Sequence, residues 1–204
     1  MNDIEKTIES LNKKGFKAVY ARDAQAALEH VLAIIGKDES VGVGGSMTAK
    51  ETGIVDALQK RGNTLYSHWI AKSEGLDADE ARRNAMTADV YLSSTNAVTL
   101  QGDLINIDGT GNRTAAMIFG PKKVVIVAGR NKITTNPHTA VARIKSVACP
   151  QNARRLGLNT PCAAAGKCSE CDSPERMCNV VTRLQYPTTG KEVHVILIDG
   201  DFGY

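Results

Sequence analysis

The sequence predicts an α/β fold: a doubly wound, mostly parallel sheet with a cysteine-rich loop segment toward the C-terminus. Three observations carry that prediction. Apolar β-type runs alternate with helical patterns along the chain, as they do where strands are joined by crossover helices. The run Val193-His194-Val195-Ile196-Leu197-Ile198-Asp199 is nearly continuous in apolar residues, as strands covered on both faces are. Several runs end in glycine, serine or threonine, the composition of loops at the carboxyl edge of such a sheet. A length of 204 residues suits one domain over 1–204, with 149–178 read as a cysteine-rich insertion before the last strand.

Taken in order, Ile4, Ile8 and Leu11 recur at helical spacing, and Gly15 ends that helix after Lys13 and Lys14. Phe16 to Tyr20 alternates as a short strand. Asp23 caps an Ala-rich helix that runs to about Ile35. Ser40 to Ser46 reads as a buried strand entering a glycine turn, followed by a helix from Met47 or Thr48 with Ile54, Val55 and Leu58 on one face. Thr64 to Trp69 is a candidate strand, and residues 77–88 form a polar helix. Val90 to Ser94, Leu104 to Asp108 and Val124 to Ala128 are strands, with a short helix over Thr114 to Phe119. A helix fits Pro137 to about Val147.

At 42% hydrophobic the chain can bury a large core, and with 4% aromatics that core must be aliphatic. The charged start Met1-Asn2-Asp3-Ile4-Glu5-Lys6 and the lack of any long apolar run predict a cytoplasmic protein without membrane insertion. Basic residues number 25 against 22 acidic, without a cationic block or interleaved aromatics, so nucleic acid is not an expected partner. The mild excess of positive charge suits a small anionic metabolite or nucleotide.

Three loops have the composition to hold such a ligand. The first is Gly42-Val43-Gly44-Gly45-Ser46-Met47-Thr48. Glycine lets backbone approach a ligand, and a helix N-terminus attracts anions. Gly44, Gly45, Ser46 and Thr48 are its candidates, although a plain capped turn has the same composition. The second joins Thr95 and Asn96 with Asp108 and Gly109, residues that equally serve as turn caps. The third carries Arg130 and Lys132 after an apolar strand. Asp108 with Lys132 is the best acid–base pair available, and His68 and Trp69 stand where they can line the same crevice.

Together, Val-Gly-Val-Gly-Gly-Ser-Met-Thr, the Ser-Ser-Thr-Asn-Ala-Val-Thr turn with its following Asp-Gly-Thr-Gly, and Val-Val-Ile-Val-Ala-Gly-Arg-Asn-Lys resemble the lactate-utilisation (LUD) domain family. The resemblance runs from about residue 5 to the C-terminus. It implies the fold shared with ribose-5-phosphate isomerase, glucosamine-6-phosphate deaminase and CoA transferases, and a role in lactate or other 2-hydroxy-acid oxidation. Iron–sulfur redox subunits are partners that it implies. No catalytic glutamate of the CoA-transferase kind is evident, and Glu51 reads as surface helix. Asp108-Gly109-Thr110-Gly111 replaces the isomerase's Asp-Gly-Ala-Asp, so neither activity is carried over with the fold.

All five cysteines lie between Cys149 and Cys178. Cys162, Cys168, Cys171 and Cys178 have the spacing and polar flanks of a thiolate metal site, zinc or an iron–sulfur cluster; Cys149 can substitute for one of them or stay free. LUD relatives of this subgroup have a similar Thr-Pro-Cys…Gly-Lys-Cys…Cys…Cys segment. A thiol switch between Cys168 and Cys171 is the remaining reading of that segment. The expected function is thus a component of 2-hydroxy-acid redox metabolism, with homo-oligomers possible. Its rival is a metabolite-binding regulatory module of the same fold with structural zinc and no turnover.

Overall fold

A computed structural model describes residues 2–204. The chain opens with α1 (Asp3–Lys13), whose N-terminus is closed by a capping box between Asn2 and Glu5. Then follow β1 (Lys17–Ala21), α2 (Ala24–Ile34) capped by Asp23, and β2 (Val41–Val43). The helix expected after the glycine turn is two helices, α3 (Met47–Glu51) and α4 (Ile54–Arg61). Gly53 takes a left-handed conformation between them (φ 69°), which breaks the helical ladder. Next come β3 (Leu65–Ser67), α5 (His68–Ser73), α6 (Ala78–Ala85), β4 (Val90–Ser93), β5 (Ala97–Thr99), β6 (Leu104–Asp108), α7 (Asn112–Ile118) and β7 (Lys123–Gly129). After a single turn at Arg130–Lys132 the chain forms β8 (Ile133–Thr134) and α8 (Pro137–Arg143). A wide π-type stretch (Ile144–Ala148) leads without interruption into α9 (Cys149–Leu156). Pro150 has no N–H to donate backwards, and the widened turn accommodates it within a continuous helix. Last come α10 (Pro161–Ala165), β9 (Val180–Leu184) and β10 (Glu192–Ile198).

Six strands form one sheet in the order β1-β10-β7-β4-β2-β3, every neighbouring pair parallel. Its central strands are apolar on both faces because both are covered. Val125, Val127, Ile196 and Ile198 pack with Val31 of α2 and Leu58 of α4. Their alternate neighbours Val124, Ile126, Val195 and Leu197 pack with Leu11 of α1 and Met117 of α7. The strand period of two thus divides each continuous apolar run between two cores.

A second sheet, in the order β8-β5-β6-β9, lies over the α1/α7 side. β5 and β9 run antiparallel to β6, and β8 runs parallel to β5. Val98 and Leu104 join the core on that side, while Ile105 and Ile107 face Ala140, Ile144 and Cys149 of the long α8–α9 helix. The cysteine-rich stretch therefore begins inside a helix, and β9 stands between it and β10. Parallel pairing sends the ends of β2, β4, β7 and β10 to one edge, where the site lies.

Candidate functional site

A cleft of about 220 Å³ opens at that edge. Gly45 and Ser46 follow β2, Ser94, Thr95 and Asn96 follow β4, and Lys132 follows β7. Asp108 ends β6, Gly109 follows it, and Arg113 lies in the first turn of α7. One wall is built by α9 and the cysteine stretch through Cys149, Asn152, Arg155 and Met177, and Tyr204 closes over it.

Lys132 is the centre of the site. It is only 3% exposed, and its Nζ donates to Thr48 Oγ1 (2.8 Å) and Ser94 Oγ (3.0 Å). Those hydroxyls hand their own protons to backbone carbonyls, Thr48 to Phe202 (3.1 Å) and Ser94 to Thr95 (3.3 Å). Among the described residues no carboxylate forms an ion pair with Lys132. Burial lowers its pKa to about 7, and the charges of Arg143 and Arg113 act in the same direction, with Glu51 opposing. The backbone of Gly203 crosses directly over this group at φ 61°. A Cβ there would lie 2.7 Å from Thr48 Oγ1 and 3.3 Å from Lys132 Nζ. Glu51, on α3, accepts from the Gly203 amide at 2.6 Å and so fastens this crossing segment.

Asp108 is engaged differently from the acid–base partnership with Lys132 suggested by the sequence. Its Oδ1 accepts from Arg113 Nε (2.8 Å) and Nη2, and its Oδ2 accepts from the Thr114 amide (3.1 Å), capping α7. Arg113 Nη2 also donates to Asn96 Oδ1 (2.8 Å), and the Asn96 and Ile107 backbones exchange bonds with the Asn106 and Asn96 side chains. The second loop is thus a rigid polar frame in which the carboxylate is a structural acceptor. Arg143 ties this frame to the third loop, donating to Asn131 O (2.8 Å) and Asn96 O (2.9 Å).

On the opposite wall, Gly45 approaches the rings of His68 and Trp69 so closely that a Cβ would sit 3.2 Å from His68 Cε1. Both rings project from the first turn of α5, because β3 ends at Ser67 and not at the expected strand end near Trp69. Burial, followed by the charges of Arg82 and Arg155, lowers the His68 pKa to about 4. The ring is therefore neutral at physiological pH. Arg155 stacks over Trp69 at 5.2 Å and donates to Tyr204 Oη (2.6 Å).

Of the sequence candidates, Gly45, Ser46, Thr95, Asn96, Asp108, Gly109 and Lys132 line the cleft. Thr48 lies directly beneath it as an acceptor for Lys132. Gly44 lies behind the wall, where a Cβ would meet Ser93 Oγ at 2.6 Å. Arg130 is turned out of the site; it pairs with Asp199 (3.0 Å) and Asp201 (3.3 Å) at the surface. Ser46 caps α3 through the Ala49 amide (3.1 Å). Because α3 has only five residues, its dipole is small, and the positive character of the cleft comes chiefly from side chains. Arg82, Arg113 and Arg155 also line the cleft and were not among the sequence candidates. They come from helices α6, α7 and α9, whose arginines read locally as solvated surface.

The five cysteines are all free thiols. The Glu170 amide donates to Cys168 Sγ (3.4 Å), and Glu170 has φ 51°, the one positive value outside glycine among the described residues. Thr160 Oγ1 lies 3.3 Å from Cys162 Sγ. Arg176 reaches Cys178 Sγ (3.5 Å) and the Cys171 carbonyl (2.9 Å), and its buried Nε has no partner. Cys149 is buried in the cluster against which Cys178 packs. Burial, then Cys178, Cys168 and Cys162, push its thiol up to about 12. Among the described residues no three His, Cys, Asp or Glu side chains converge closely enough to ligate one ion as they stand. Among the described residues no helix is long and apolar enough to cross a membrane.

A family model and a solved structure are among the known proteins that this chain resembles. The family model described as the LUD domain matches residues 4–198. A crystal structure of a DUF162 family protein from Deinococcus radiodurans superposes with a TM-score of 0.56 at 13% sequence identity, covering 96% of this chain and 96% of that one. At that identity the likeness is one of fold. No curated protein matches.

Proposed function

The chain belongs to the LUD-domain family, which is linked to lactate utilisation, and we propose that its cleft binds a small organic anion of the 2-hydroxy-acid class. One observation carries the reading: a lysine, almost wholly buried at the cleft floor, with hydroxyl partners and no carboxylate. A buried cation without a counter-charge is costly, and a bound carboxylate removes that cost. Arg82 and Arg155, on the walls, add to the attraction. Calorimetric titration with L-lactate, glycolate and oxalate tests the reading. Binding lost in Lys132→Met supports it, and the absence of binding by all three anions overturns it.

We further propose that Cys162, Cys168, Cys171 and Cys178 hold a thiolate-bound metal, zinc or an iron–sulfur cluster, with Cys149 close by. The amide bond to Cys168 and the Arg176 contact to Cys178 are of the kind that stabilises metal-bound thiolates. The unpartnered Arg176 Nε supplies a further donor beside them. An iron–sulfur cluster would supply one-electron transfer beside the cleft, whereas zinc would brace its wall. Anaerobic purification with metal analysis and a visible spectrum separates these cases, and metal-free protein with five titratable thiols overturns both. A regulatory module without turnover is favoured by one specific observation, the engagement of Asp108 with Arg113 and Thr114. Metabolite binding without any conversion is its signature.

A further inference from the structure

We propose that Lys132 forms an imine with a small 2-oxo acid held in the cleft, so that the site handles a carbonyl compound covalently as well as binding anions. The inference rests on the anion-binding reading above and extends it to a reaction at a named atom.

The geometry around Nζ carries it. The structure gives this nitrogen two acceptors, Thr48 Oγ1 and Ser94 Oγ, and no third partner. A neutral amine has two N–H donors and one lone pair. Two acceptors match that form, and they leave the lone pair as the group without a protein partner. An ammonium would have a third N–H without a protein acceptor at the cleft floor. Thr48 Oγ1 donates to Phe202 O, and Ser94 Oγ has Thr95 O and Thr48 Oγ1 as acceptors, so both hydroxyls can accept from the nitrogen without competing for its lone pair. Burial, followed by the neighbouring cations Arg143 and Arg113, lowers the amine's pKa to about 7. A buried lysine kept neutral in this way is a competent nucleophile.

The rest of the cleft selects the carbonyl partner. Among the described residues, Arg82 Nε and Nη2 and Arg155 Nη1 have no protein acceptor, whereas the other donors of these groups bond Asp79, Asn152 and Tyr204. These free donors on the walls suit a carboxylate, and a cleft of about 220 Å³ suits an acid of a few carbons. A short acid carrying both a carboxylate and a carbonyl, as a 2-oxo acid does, combines the two features. In the step, the Nζ lone pair forms a bond to the carbonyl carbon, and the C–O π electrons move to oxygen. Both amine protons pass to that oxygen, which leaves as water as the C=N bond forms. No group is oxidised or reduced, and no further reactant is needed.

The test is reductive trapping. Wild-type protein is treated with pyruvate and sodium cyanoborohydride near pH 7, and digested peptides are mapped by mass spectrometry. The expected result is a peptide carrying Lys132 heavier by pyruvate less one oxygen atom. Surface lysines have a neutral fraction on the order of a thousandfold smaller at this pH, so their labelling should be far weaker. Lys132→Met should lose the adduct, and the mapping on wild type needs no variant to fold. Labelling spread evenly over surface lysines, or none at Lys132, overturns the proposal. If L-lactate or oxalate binds calorimetrically while pyruvate is not trapped, the imine falls and the anion-binding reading stands. If neither binds nor traps, both fall.

Discussion

Replacing Lys132 by methionine keeps the length of the side chain and removes its charge, which isolates the energetic consequence of burying an amine without a carboxylate. The group has a pKa of about 7 in the folded protein against an ordinary 10.5. Between those values the unfolded chain binds a proton that the folded chain does not. Wild-type stability therefore rises with pH across that window, and below about pH 7 the full cost is present. At about 1.4 kcal/mol per pH unit, the upper bound is about 5 kcal/mol. Against this, the variant loses two hydrogen bonds to Thr48 and Ser94, each worth about 1 kcal/mol. Lys132→Met should therefore be as stable as wild type or more stable by up to about 3 kcal/mol at pH 6, and the difference should shrink or reverse by pH 10. Urea unfolding of both proteins at pH 6, 8 and 10 measures this, and taking the difference cancels titrations common to both. A wild-type advantage that is constant across the three pH values would refute the assignment of a depressed pKa to Lys132.

Other outcomes follow from the same contacts. Asp108→Ala leaves Arg113 without its buried partner and uncaps α7, so a loss of about 3 kcal/mol is expected in denaturant unfolding. Gly42→Ala places a Cβ 2.4 Å from the Ala85 carbonyl, where α6 crosses β2; thermal unfolding should register a loss of ~1–3 kcal/mol. The His68 ring should stay neutral from pH 8 down to about pH 5 and gain its proton near pH 4, as followed by NMR of its Cε1 proton.

The main sheet was legible because its strands are long apolar runs whose alternate residues feed two cores, as Val124 to Val127 and Val193 to Ile198 do. Of the second sheet only β6, Leu104–Asp108, was. Ala97–Thr99 and Ile133–Thr134 are too short to carry a periodic signal, and Val180–Leu184 exposes residues on both faces. β5 and β9 exist through their pairing with β6, and β8 through its pairing with β5, which are tertiary facts. β3 ends earlier than its sequence predicts because Thr64 to Trp69 reads as a β-type run, whereas His68 begins a helix. In the site, glycine and hydroxyl residues after strands announced themselves through turn chemistry. Lys132 and Arg130 had equal standing in the sequence, two residues apart. Packing alone separates them: one is buried beneath Gly203, and the other is paired with Asp199 and Asp201 at the surface. Arg82 and Arg155 lie on polar helix faces, and no local pattern distinguishes a cleft-lining arginine from a solvated one.

The central claim, that the cleft receives a small organic anion at Lys132, is tested most directly by calorimetric titration of wild-type protein with oxalate at pH 6, 7.5 and 9. An anion stabilises the charged amine, so binding should take up protons near neutral pH, and affinity should fall as pH rises past about 7. Lys132→Met should lose at least about tenfold in affinity, or 1.4 kcal/mol. Affinity that is unchanged in the variant and insensitive to pH would contradict the account.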